Sequence, residues 1–230
     1  MHENKNYSKI FNILKSNNLT NWNNYTKHKF VKNIANGKLK KELYIKYLIQ
    51  DYLFLIHFSK AWALLVLKSN STEEMRVSSA TLHALINEEL QLHINTCKEY
   101  GISESQLYNA EEEIANIAYT RYVLENGYTG DFLNLLISLI PCVFGYGEIG
   151  LELSNVANKN NPYIKWINTY GSNEYQELCI KIGNMLDIAV INRLGNNFEN
   201  NLKWNILNNQ FITATKLEIN FCTMGLRGYE

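Results

Sequence analysis

Residues 39–69 have the sequence LKKELYIKYLIQDYLFLIHFSKAWALLVLKS, which contains neither proline nor glycine. Apolar side chains recur there every three or four residues, at Ile45, Ile49, Tyr52 and Ile56. That spacing places them on one face of an α-helix. The stretch therefore predicts one long helix, and it sets the pattern for the rest of the chain.

Similar spacing and helix start and stop residues predict eight further helices on both sides of this stretch. They cover 7–15, 19–36, 71–100, 110–125, 131–156, 161–170, 173–196 and 199–224. The start signals include capping boxes at 71–74 and 103–106 and an Asn161-Pro162 pair, and Gly127 is expected to end the helix that begins at Ala110. Only 2 prolines and 12 glycines interrupt 230 residues, and no stretch resembles a strand. We therefore predict an all-α, single-domain helical bundle over 1–230.

Charge and hydropathy exclude several classes of function. The formal net charge is zero, so the clustered basic excess of a nucleic-acid surface is not expected. The first five residues lack an apolar segment, which predicts a cytoplasmic protein without a signal peptide. The apolar stretch 132–140 is too short to span a bilayer, so no membrane partner is expected. The four cysteines are far apart, which favours free thiols.

Residues 140–148, IPCVFGYGE, are the most informative for chemistry. Cys142 and Tyr146 are four residues apart and share one helix face. Pro141 removes one backbone hydrogen bond and kinks the helix, and the glycines at 145 and 147 allow a ligand or a backbone to approach closely. A functional thiol is one interpretation. An inert buried cysteine in a bent helix is the other, because free cysteine is commonly a small buried hydrophobe.

Two carboxylates and a group of aromatic residues are further candidates. Asp51 lies in a mostly apolar run and must be paired or poised for function, because burying an unpaired charge is costly. Glu218 and Phe221 are three residues apart on one helix face, although such a helix is more often an amphipathic surface helix. The aromatic residues at 163, 166 and 170 are spaced as core residues usually are.

These segments, in this order, resemble the TenA (thiaminase II) family. The resemblance rests on Trp22, His28-Lys29-Phe30-Val31, 34–39, 47–52, Pro141-Cys142, Tyr146, the Tyr163/Trp166/Tyr170 segment and the Glu218/Phe221 helix. It covers nearly the whole chain. One branch of the family has a cysteine at the position matching Cys142, and this chain is similar to that branch.

The resemblance implies a haem-oxygenase-like fold, a homotetramer, and no cofactor or metal. It implies hydrolysis of aminomethylpyrimidine or thiamin to hydroxymethylpyrimidine, in thiamin salvage. Cys142 would add to a carbon of the pyrimidine ring, Glu218 would protonate or hydrogen-bond the ring nitrogen, and Asp51 would bind the exocyclic amino group. The remaining candidates are aromatic: Phe54, Tyr146 and Phe221 would stack on the ring, and Tyr119 and Tyr170 would hydrogen-bond near the leaving group.

Other functions fit the same architecture. A di-iron oxygenase needs histidines on a late helix, but no histidine follows His93. Glu89 and His93 have the Glu-x-x-x-His spacing of two metal ligands. The competing explanation is that Glu88 and Glu89 lie on a solvated helix face. A haem protein needs an axial histidine, for which His28 is the nearest candidate. A non-catalytic helical interaction protein is a third possibility, which the presence of Cys142, Asp51 and Glu218 together disfavours.

Overall fold

The computed structural model describes residues 6–228, which contain twelve α-helices and no strand. The helices are α1 (Lys9–Asn17), α2 (Leu19–Thr26), α3 (Lys29–Ala35), α4 (Lys41–Leu67), α5 (Thr72–Ala84), α6 (Leu90–Glu99), α7 (Glu104–Tyr108), α8 (Ile114–Thr129), α9 (Phe132–Val156), α10 (Ile164–Gly171), α11 (Asn173–Leu194) and α12 (Leu202–Met224). A π-helical turn (Leu85–Glu89) joins α5 to α6, and a 3-10 turn (Phe198–Asn200) precedes α12. The predicted all-α class is confirmed.

The described residues form two compact units, each built from two separate parts of the chain. Unit 1 contains Leu136–Ile219 and the described residues up to Lys38, and unit 2 contains Leu39–Leu135 and the described residues from Asn220. One unit boundary lies between α3 and α4, and the other two fall within α9 and α12. The single domain predicted for 1–230 stays a prediction, and residues 1–5, where no signal peptide is predicted, lie outside the described residues.

The core of each unit is aromatic. In unit 1, the ring of Phe11 contacts Trp22 and Phe144, at 5.1 and 4.6 Å between centroids, and Trp22 stacks on Phe211 at 5.7 Å. In unit 2, α4 packs against α5, α6 and α8 and buries most of its length, as the uninterrupted apolar pattern of 39–69 predicts. Burial of such large rings is the main stabilising contribution in a helical core.

The helix predicted at 19–36 is wrong, because the chain forms two helices there. α2 ends at Thr26 and α3 begins at Lys29. The break is at His28, whose backbone is extended (ψ 153°) and whose ring Nδ1 accepts a hydrogen bond from the Phe30 N–H at 3.1 Å. His28 thus caps α3 as serine or asparagine would, which also accounts for the histidine considered as a haem ligand.

The helix predicted to end at Gly127 continues to Thr129 as α8. Gly127 lies within the helix because a side chain there would collide with its neighbours: a Cβ would lie 2.6 Å from Cδ2 of Leu64 and 3.2 Å from Cδ1 of Leu135. The glycine therefore permits close packing of helices. The prediction that Gly127 ends this helix is therefore wrong.

The start signals are confirmed only in part. The capping box at Ser103 and Gln106 is complete. At the start of α5 the Ser71 hydroxyl accepts from the Glu74 N–H at 3.2 Å, as predicted, and the Glu74 carboxylate accepts from the Asn70 N–H at 2.7 Å. Asn161 does not cap α10, which begins at Ile164. Its side-chain oxygen accepts from the Tyr163 N–H at 2.8 Å, and its amide donates to two carbonyl oxygens at the end of α3. Its tertiary hydrogen bonds therefore place Pro162 in a turn.

α9 is longer than the apolar stretch that predicts it. The helix passes through Pro141 and runs for 25 residues, so by length and composition it could cross a membrane. The stretch 132–140 alone is shorter than a membrane span, whereas the whole helix around it is long enough. However, 94% of its most apolar window is buried inside the protein, as in a core helix.

Candidate active site

Asp51 lies on α4 in unit 2, almost completely buried and hydrogen-bonded to two side chains. The Tyr47 hydroxyl donates to its Oδ2 at 3.1 Å, and Nε2 of His93 lies 2.7 Å from the same oxygen. Nδ1 of His93 lies 2.9 Å from the backbone oxygen of Glu89, at the end of the π-helical turn. A buried carboxylate requires such partners.

Three predicted aromatic site residues lie together in unit 2. The Phe54 ring is 5.0 Å from the Tyr119 ring and 5.4 Å from the Phe221 ring, between centroids. Phe221 in turn meets the ring of Tyr47 edge-on at 6.0 Å, which links this group to Asp51. Asp51, Phe54, Tyr119 and Phe221 therefore form one cluster, in which a carboxylate lies among aromatic rings. Such surroundings suit a flat, polar heteroaromatic ring.

The other candidates belong to unit 1. Cys142 is partly exposed on α9, one helical turn before Tyr146. The ring of Tyr146 contacts Tyr170 at 4.8 Å and Trp166 at 5.8 Å between centroids, and all three rings are buried. Tyr146 and Tyr170 are thus brought together, one turn away from the thiol.

Glu218 is only 1% exposed, so it lies on the buried face of α12, while the opposite face, which includes Ile206 and Lys216, is exposed. The helix is therefore amphipathic, as the competing explanation has it, with Glu218 on its inner side. The structure places Cys142 and Glu218 in unit 1 and Asp51 in unit 2. The convergence of the thiol and the two carboxylates on one ligand stays a prediction.

The glycines of α9 serve helix packing. A Cβ on Gly145 would lie 2.1 Å from Cε1 of Tyr25, and one on Gly147 would lie 2.8 Å from Sγ of Cys179. The atoms that approach these two glycines closely are thus side-chain atoms, and not the backbone expected from the sequence as one alternative.

His93 is the residue that sequence reasoning missed. It is 1% exposed, and its pairing with Asp51 joins residues 42 apart in the chain. Burial lowers the pKa of His93, but the hydrogen bond and the negative charge of Asp51, together with Glu89, raise it by more, so that the pKa lies above the usual 6.5. The sequence pattern around His93 predicts an unbroken helix over 71–100, so neither the π-helical turn nor the pairing with Asp51 could be read from it.

No cluster of three or more potential metal ligands occurs among residues 6–228. Both ring nitrogens of His93 instead contact protein oxygen atoms, which are the backbone oxygen of Glu89 and Oδ2 of Asp51. Glu88 is exposed and Glu89 half-buried, so the predicted solvated face fits Glu88 and fits Glu89 only in part.

The sequence model of the TENA/THI-4/PQQC family matches residues 17–228. The chain belongs to this family. The match covers every predicted site residue, and it extends from α1 to the end of the described chain.

Several relatives carry the name aminopyrimidine aminohydrolase, and two of them are more than 30% identical to this chain. The protein of Halalkalibacterium halodurans is 36% identical over 168 residues, which cover 72% of this chain and 75% of that protein. The protein of Helicobacter pylori is 31% identical over 206 residues, which cover 88% and 92%.

Solved structures agree with the family assignment. A protein described as a TenA family transcription regulator, from a Silicibacter species, has a TM-score of 0.93 and 47% identity, covering 96% of this chain and 97% of its own. A Shewanella denitrificans domain of unknown function with a haem oxygenase-like fold has a TM-score of 0.57 at 13% identity, covering 94% and 90%. The latter likeness concerns the fold alone, and this TENA/THI-4/PQQC chain has that fold.

Proposed function

We propose that this protein hydrolyses thiamin-related aminopyrimidines, releasing hydroxymethylpyrimidine from aminomethylpyrimidine or from thiamin. The observation that carries the proposal is the family membership, with two aminopyrimidine aminohydrolases among relatives above 30% identity. The cluster of Asp51 with Phe54, Tyr119 and Phe221 supports it, because a ring of this kind requires stacking surfaces and a directional polar group.

We assign the chemistry to Cys142 as nucleophile. Its thiolate adds to the pyrimidine carbon next to a ring nitrogen, while Glu218 protonates or hydrogen-bonds that nitrogen and makes the ring electrophilic. Asp51 accepts a hydrogen bond from the exocyclic amino group. Tyr146 flanks the ring, and Tyr170 hydrogen-bonds near the leaving group.

The reaction then proceeds by elimination and addition. The amine leaves with a proton as ammonia, or the thiazole leaves when thiamin is the substrate, and an exocyclic methylene remains on the ring. Water adds to this methylene, and the bond between ring carbon and sulfur breaks to restore the thiolate. A free thiol has a pKa of about 8.5, so we place the transfer of its proton to a carboxylate after substrate binding.

The first prediction concerns Cys142→Ala. Because the covalent adduct cannot form, release of hydroxymethylpyrimidine from aminomethylpyrimidine and from thiamin should fall at least about 100-fold, the order of effect expected for loss of a nucleophile. Product is measured by chromatography, and folding is checked by circular dichroism.

Cys179→Ala is the matched control, since it removes another thiol of unit 1 without touching a residue of the proposed chemistry. It should retain hydrolysis. A folded Cys142→Ala variant with full activity would exclude the cysteine adduct, and an inactive wild-type protein on both substrates would contradict the proposed hydrolysis itself.

We also propose, from the resemblance to TenA proteins, that the chain acts in the cytoplasm and assembles as a homotetramer. Light scattering of the purified protein measures the assembly. A monomer at micromolar concentration would contradict it.

A further inference from the structure

The ring of His93 is held between two oxygen atoms that accept hydrogen bonds. Nδ1 lies 2.9 Å from the backbone oxygen of Glu89, and Nε2 lies 2.7 Å from Oδ2 of Asp51. A carbonyl oxygen only accepts, and so does an ionised carboxylate. A neutral imidazole has one N–H and can satisfy only one of them. The geometry therefore favours a ring that carries a proton on both nitrogens.

The surroundings of His93 favour the same charge state. The ring is almost fully buried, and burial alone opposes a positive charge. The groups that face it are Asp51 and, through Asp51, Tyr47 on α4, with Glu89 in the π-helical turn. Cys97 lies near Asp51, and burial followed by the charge of Asp51 raises the pKa of its thiol to about 11. A His93 ring that carries both protons balances the charge of Asp51, whose Oδ2 lies 2.7 Å from Nε2.

The two hydrogen bonds to Asp51 end on the same carboxylate oxygen. Tyr47 and His93 both contact Oδ2, and Oδ1 receives neither of these bonds. The pair thus anchors one carboxylate oxygen and leaves the other to act as an acceptor. The π-helical turn that sets His93 is a rare element that occurs frequently at functional sites.

We propose that His93, as an imidazolium, is a positioning residue that holds Oδ2 of Asp51 and directs Oδ1 to the amino group of an aminopyrimidine. This inference rests on the proposed function. It adds the residue that determines how tightly the amino group is bound, and it makes substrate binding depend on pH.

The sign of this dependence follows from the direction of the His93 pKa, which is raised above 6.5. Below the raised pKa the ring donates to Asp51 and the carboxylate is anchored. As pH rises through that pKa, one proton leaves, and an imidazole lone pair then faces either the carboxylate or the Glu89 carbonyl. The KM for aminomethylpyrimidine should therefore rise on the alkaline side.

The test measures KM and kcat for aminomethylpyrimidine across pH in the wild type, His93→Gln and His93→Leu. Glutamine keeps a donor but cannot be charged, so KM near neutrality should rise about fivefold, and its alkaline increase should disappear. Leucine removes the donor, so KM should rise more than about tenfold. In both variants kcat should change much less than KM. His83→Gln, an exposed histidine of α5, is the control and should follow the wild type.

Nitrogen-15 NMR of the histidine rings gives a second readout on wild-type protein, independent of activity. Two protonated ring nitrogens at neutral pH, assigned through the missing signal in His93→Gln, are expected. A neutral His93 ring, or a His93→Gln profile of KM that parallels the wild type, would overturn the inference. An inactive wild type would instead refute the proposed function, and the NMR result would still decide the charge of His93.

Discussion

At the scale of single residues, Cys142 differs from the other three cysteines in its exposure. Cys142 is partly exposed, whereas Cys97, Cys179 and Cys222 are buried, and all four are free thiols. Reactivity of a thiol requires both solvent access and ionisation. Cys97 lacks solvent access because it is buried, and it lacks ionisation because its pKa is raised to about 11. The partial exposure of Cys142 thus agrees with a role as nucleophile.

We therefore predict that a thiol reagent such as dithiobisnitrobenzoate modifies one cysteine rapidly in the native protein and four after denaturation. Cys142→Ala should abolish the fast phase. Two or more fast thiols, or a fast phase that survives Cys142→Ala, would contradict the prediction.

At the scale of elements, the packing of α9 depends on its glycines. Gly145 lies against the fully buried ring of Tyr25 on α2, where a Cβ would be 2.1 Å from a ring carbon. The ring cannot move away without displacing Trp22, whose ring lies 5.7 Å from it. The short distance between α9 and α2 is thus possible only without a side chain at 145.

Gly145→Ala should consequently lower the free energy of unfolding by about 1–3 kcal/mol, the usual effect of overpacking. Urea denaturation followed by circular dichroism measures it. Gly228→Ala is the control, because no atom lies within 4 Å of a Cβ there, and it should be nearly neutral. Equal stability of both variants would show that α2 yields to the added methyl group.

At the scale of the whole molecule, the last described residues return to the start of α4. Lys46 is buried there, and its ammonium group donates to the backbone oxygen atoms of Arg227 and Gly228, at 3.3 and 2.9 Å. It also pairs with the carboxylate of Glu113. One side chain thus binds the C-terminal segment to the body of unit 2, and it satisfies carbonyl oxygens that follow the end of α12.

Lys46→Met keeps the aliphatic length and removes the charge, so we expect a loss of about 1–3 kcal/mol in the free energy of unfolding. The larger losses of stability that follow when a fully buried ion pair is broken do not apply here, because Glu113 is 32% exposed and stays solvated. Limited proteolysis should cleave the C-terminal segment faster. Lys60→Met, at an exposed position of the same helix, should change neither. Unaltered proteolysis in Lys46→Met would exclude the anchoring role.

Local chemistry by itself determined the all-α class, the long helices at 41–67 and 132–156 and the free thiols, because periodicity, caps and breakers act over a few residues. The short motifs also resemble one protein family, and the family model that matches residues 17–228 confirms this assignment. Only the tertiary structure decided that Gly127 packs inside a helix, that Asn161 binds the end of α3, and that His93 pairs with Asp51. These contacts join residues tens of positions apart, and the free energy of burying such groups depends on partners that no local pattern encodes.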